Sequence, residues 1–100
     1  MKEEQLSLFK QALSRLEVTK QDREFLYTVS MTLSGHPEVF RKCYLAFMNG
    51  EDSYHYHPMI GAPLDFFFEG SEVRVKRLKE EVVLSRGHFI QYASYVDLCF

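Results

Sequence analysis

The stretch from Ser71 to Phe100 constrains this chain more than any other, because it holds the longest apolar period. Val75, Leu78, Val82, Ser85, Phe89, Tyr92, Val96 and Cys99 follow one another at alternating intervals of three and four. In an α-helix that spacing lays them along one stripe, with Ser85 the clearly polar member. Ser71 suits an N-cap, and Glu72–Lys76, Lys76–Glu80 and Arg77–Glu81 set opposite charges one turn apart. The pattern predicts a helix over 72–86, closed by Arg86-Gly87, and an in-phase continuation over 88–100. The same residues also read as strands. Ile90, Tyr92, Val96, Leu98 and Phe100 alternate except at Ser94, and the composition is β-branched and aromatic.

Upstream, the helical period is clearer. Leu6, Phe9, Leu13 and Leu16 predict an amphipathic helix over 2–17, with Glu3 and Glu4 favourable at its positive end. Thr19-Lys20-Gln21-Asp22 resembles a capping box and starts a second helix over 20–33, with Leu26, Val29 and Leu33 inward and Ser34-Gly35 as its stop. Pro37 opens a third over 37–48, with Phe40, Cys43, Tyr44 and Phe47 inward, Arg41 and Lys42 outward, and Asn49-Gly50 as its end. Residues 50–62 have no period and read as a loop. Pro63 to Gly70 encloses Leu64-Asp65-Phe66-Phe67-Phe68-Glu69, which suits a short helix or a strand.

The expected fold is therefore all-α, a compact bundle of four or five helices forming a single domain over 1–100. The alternative is α+β, three N-terminal helices followed by an antiparallel meander near 64–68, 72–78, 81–85 and 88–96, with Gly70 and Gly87 at turns. Apolar residues make up 46% of the chain and aromatics 15%, enough to build one hydrophobic core at this length.

Charge narrows the function classes. The formal net charge is −2, against the basic excess of a dedicated nucleic-acid binder and with little drive toward an anionic membrane. Arg74, Lys76, Arg77 and Lys79 are locally basic, whereas 35–70 is acidic, so contact between the two is an open option. Cys43 and Cys99 stand in apolar contexts without CxxC spacing, which suits reduced, buried thiols, with a single Cys43–Cys99 disulfide as the alternative. The first residues lack an apolar signal-peptide core, and the longest apolar runs are too short to span a bilayer. The expectation is a cytoplasmic protein.

Motifs for chemistry are sparse. His55-Tyr56-His57, with Glu51, Asp52 and His36 near in sequence, would put both imidazoles on one side of an extended strand, a geometry that metal sites use. That spacing recurs by chance and fixes no third ligand; a small metal-binding protein or metal-dependent enzyme built on His55 and His57 is the alternative reading. Cys43 lies on an apolar helix face, Ser85 and His88 have no orienting acid, and no glycine-rich phosphate loop or cofactor motif occurs. The balance is against an enzyme.

Large side chains supply the main reading. Phe66-Phe67-Phe68 cannot all turn inward, and Tyr54, Tyr56, Met59 and Ile60 are close in sequence. These residues predict a non-catalytic regulatory or adaptor module that binds a protein partner. The stripe from Val75 to Cys99 adds a homodimer as a further expectation.

Overall fold

The computed structural model describes residues 3–33 and 35–99. The chain runs α1 (Glu3–Leu13), α2 (Lys20–Leu33), α3 (Pro37–Met48), β1 (Ser53–Tyr56), β2 (Leu64–Glu69), β3 (Glu72–Arg77), β4 (Glu80–Ser85) and α4 (Arg86–Cys99). The strands form one antiparallel sheet in the order β1-β2-β3-β4. The fold is α+β. The all-α bundle is overturned, and the meander alternative is right in class, although its proposed last strand is α4.

The error lies in residues 72–85, where a helical period and a hairpin coincide. Val73, Val75, Val82 and Leu84 are all buried at strand alternation, which a helix over the same residues could not achieve. The charges read as pairs along a helix instead face one another across strands. Lys76 is opposite Glu81 and Arg77 opposite Glu80. The Arg74 guanidinium reaches Glu69 on β2 at 3.3 Å and Glu81 on β4 at 3.6 Å, so part of the basic segment does meet nearby acids.

Arg86-Gly87 begins a helix rather than ending one. The Ser85 hydroxyl accepts from the His88 backbone N–H at 3.1 Å, an N-cap that turns the chain from β4 into α4. Beyond that point the helical phase was correct, since Phe89, Tyr92, Val96 and Cys99 are the buried face of α4. The homodimer stripe from Val75 to Cys99 consequently does not exist as one surface. Its members are divided among β3, a turn, β4 and the core side of α4.

The first three helices follow their sequence signals closely. Asp22 N–H donates to Thr19 Oγ1 at 3.1 Å, fixing the start of α2. Pro37 occupies the first turn of α3. α1 stops at Leu13, short of the expected 17, and turn hydrogen bonds through Leu16 drop that side chain completely into the core. Ser34 and Phe100, invoked for the α2 stop and the last alternation, lie outside the described residues.

One face of the sheet packs beneath the helices, and the two layers enclose a single core rich in aromatic rings. Phe47 meets Phe89 edge-on at 4.9 Å between centroids, and Phe40 meets Tyr92 edge-on at 5.7 Å. Cys43 and Cys99 are both free and buried within it. Burial raises the Cys43 thiol far above its ordinary range, so it stays protonated and inert. No described helix is long and apolar enough to cross a membrane.

Candidate protein-contact surface

β1 and β2 pair with Tyr54 opposite Phe66, His55 opposite Asp65 and Tyr56 opposite Leu64. Strand alternation then sorts the residues nominated from sequence. Phe66 points inward and is completely buried, so it serves the core. Tyr54, Tyr56 and Phe68 pack partly buried against that core, Phe68 meeting the Phe47 ring edge-on at 5.5 Å. Burial, then Cys43 and Tyr56 nearby, raises the Tyr54 hydroxyl above its ordinary value, and it remains neutral. Phe67 takes the opposite face, with its ring against His55 at 5.6 Å. The expectation that the three phenylalanines must split between core and surface fits this arrangement.

Met59 and Ile60 are placed differently from the others. They ride the loop 57–63 that joins β1 to β2, at 103% and 92% exposure, touching nothing that would shield them from water. Loop composition accounts for this. Pro58 and Pro63 limit the backbone on either side, and Gly61 takes φ +112°, a conformation L side chains rarely adopt. The hairpin below is fixed by its strand register and by its inward tyrosines, so the loop projects from a rigid base.

The outer face beside this loop carries a hydrogen-bonded row. His55 Nδ1 lies 2.7 Å from Asp65 Oδ1, and His55 Nε2 lies 3.1 Å from Ser53 Oγ. The connectivity is that of a serine–histidine–carboxylate triad, which sequence spacing did not suggest because Asp65 arrives through strand pairing. The row lies on an open sheet face, with the histidine and aspartate side chains 44% and 32% exposed. Such exposure gives a nucleophile no dry site and no walls to hold an acyl group, so its evident work is to tie β1 to β2.

The same contacts bear on metal binding. Both His55 ring nitrogens are engaged within the row, and His57 stands in the exposed loop. No group of three or more histidine, cysteine, aspartate or glutamate side chains converges on a common point among the described residues.

A surface that sequence reasoning missed runs along α3 and α4. Leu45, Met48, Ile90 and Leu98 are 59%, 59%, 42% and 82% exposed. The helices themselves are legible in the sequence, but their inward apolar periods are the stronger signal and mask the outward faces. No protein-family model, curated protein or solved structure matches the chain.

Proposed function

We propose that the protein is a non-catalytic regulatory or adaptor module that binds a protein partner through the β1–β2 loop. The observation that carries this reading is the pair Met59-Ile60, two large apolar side chains standing in water on a loop braced by proline and an antiparallel hairpin. Adjacent apolar side chains of this kind gain free energy by entering a pocket on another protein, roughly 1.5–3 kcal/mol each when fully covered. A braced loop loses little conformational entropy on docking, so more of that gain remains as affinity. Phe67, on the outer face toward the Ser53 end of the hairpin, can extend the contact along β2, whereas Tyr54, Tyr56 and Phe68 pack against the core.

The test is affinity capture from the native host with the intact chain and with the Met59→Glu/Ile60→Glu variant. A partner retained by the first and lost by the second, with unchanged circular dichroism, supports the reading. Identical protein sets on both baits would sink it.

A further inference from the structure

We propose that the groove between α3 and α4 is the interface of a two-fold homodimer, with a second copy of this chain as its occupant. Phe40, Arg41, Tyr44 and Leu45 line one wall, and Ile90, Ala93, Ser94 and Asp97 line the other. The groove has a physical origin. Large rings lie between the two helices, Phe40 with Phe89 at 6.3 Å and Tyr44 with Phe89 at 6.4 Å, and they hold the helices apart on the solvent side.

Each rim is an outward helical stripe. Arg41, Leu45 and Met48 succeed one another at four and three on α3, and Ile90, Ser94 and Asp97 at four and three on α4, with Leu98 beside them. Among the residues that line the groove, each wall carries one charge, Arg41 on α3 and Asp97 on α4, of opposite sign. Arg41 and Asp97 are exposed, and neither forms an ion pair among the described residues. They also lie together at the Pro37 end of the groove, where both line a smaller recess with Val96.

That placement selects the occupant. An acidic or a basic partner helix would satisfy one of these charges and repel the other. A second copy related by a two-fold axis satisfies both, because Arg41 of each copy meets Asp97 of the other. The apolar residues then pack helix pair on helix pair, the four-helix arrangement that such ridges favour. This interface is separate from the Met59-Ile60 loop, so the loop stays available to another protein.

Sedimentation equilibrium or light scattering on the intact chain tests the proposal, with circular dichroism confirming the fold of each variant. The wild type is expected to be a concentration-dependent dimer. Arg41→Asp and Asp97→Arg are each expected to weaken dimerisation about tenfold or more by placing like charges together. Arg41→Asp/Asp97→Arg in one chain restores the complementary pairs and is expected to recover the dimer. Leu45→Glu, which leaves both charges in place, is expected to give a monomer. A monomeric wild type at high micromolar concentration would overturn the proposal. So would a dimer indifferent to Leu45→Glu, or one that the charge exchange fails to rescue.

Discussion

The Tyr92 phenol oxygen of α4 hydrogen-bonds the Ser30 hydroxyl of α2 in the middle of the helical layer, across 62 residues of sequence. Both groups also lie within hydrogen-bond distance of the Leu26 carbonyl, Ser30 at 2.9 Å and Tyr92 at 3.1 Å. The two hydroxyl protons cannot fill all three edges of this triangle. One hydroxyl donates to the other, which in turn donates to the carbonyl. Tyr92 is completely buried, and Ser30 is the buried polar side chain beside it, so the triangle satisfies polar groups that water does not reach.

Removing either hydroxyl therefore breaks the Ser30–Tyr92 bond and leaves one good bond to Leu26, which still joins α4 to α2 when Tyr92 is the one that remains. Tyr92→Phe and Ser30→Ala are each expected to lower stability by about 1 kcal/mol. Their combination should cost less than the sum, since each single change already breaks the shared bond. Urea unfolding of the four proteins measures this coupling, and strict additivity would show that Ser30 and Tyr92 act independently.

Phe66 and Phe67 are neighbours in sequence but not in environment. Phe66→Ala empties a fully buried ring site and is expected to cost about 3–5 kcal/mol. Phe67→Ala, on the outer face, should change stability by about 1 kcal/mol or less. A larger loss from Phe67→Ala than from Phe66→Ala in denaturant unfolding would contradict this sheet register, because a one-residue slip exchanges the two faces.

Leu78 turns the chain between β3 and β4 at φ +56°, the left-handed region, with its side chain largely exposed. Leu78→Asn or Leu78→Gly relieves the steric strain of a Cβ there and is expected to raise stability by about 0.5–1 kcal/mol. A loss of stability in both variants would show that the Leu78 side chain makes a contact worth more than the backbone strain.

Alkali should expose the buried acids. Burial raises Cys43 above the ordinary thiol value of 9.0 and Tyr92 above the ordinary phenol value of 10.0. In the unfolded chain both groups lose protons near those ordinary values, whereas the folded chain keeps them. The unfolded state then binds fewer protons, so stability is flat below about pH 9 in this respect and falls as pH rises beyond it. Thermal melts from pH 7 to 11 should show that decline, and Cys43→Ala should lessen its slope despite a lower starting stability. A Cys43→Ala slope equal to that of wild type would place the alkaline loss elsewhere.

How much of this was legible in the sequence depends on which interactions decide each segment. α2 and α3 are set locally, by Thr19 and Pro37 at their starts and by unbroken apolar periods, so their bounds could be read directly. β3 and β4 are decided by pairing. Val75, Leu78 and Val82 keep a helical interval only because the turn at Leu78-Lys79 separates two valines that face each other across the hairpin. Periodicity within one segment cannot register a partner strand, and the charges of Lys76 and Glu81 support either arrangement. β1 escaped for the same reason, its four residues gaining a ladder only from β2. At the candidate surface, clustering of large side chains near 54–68 was visible, but which of them remain exposed is set by strand alternation and by the loop. Asp65 beside His55, and Arg41 beside Asp97, are products of tertiary assembly that spacing does not encode.

The protein-contact reading stands or falls on what Ile60 touches in the cell. A photo-activatable amino acid placed at position 60, with a matched control at exposed Leu8 on α1, reports that contact directly when irradiated in the native host. The account predicts a discrete cross-linked protein from position 60 that is absent from position 8 and disappears with Met59→Glu. Cross-linking that is absent, or the same from both positions, would contradict it.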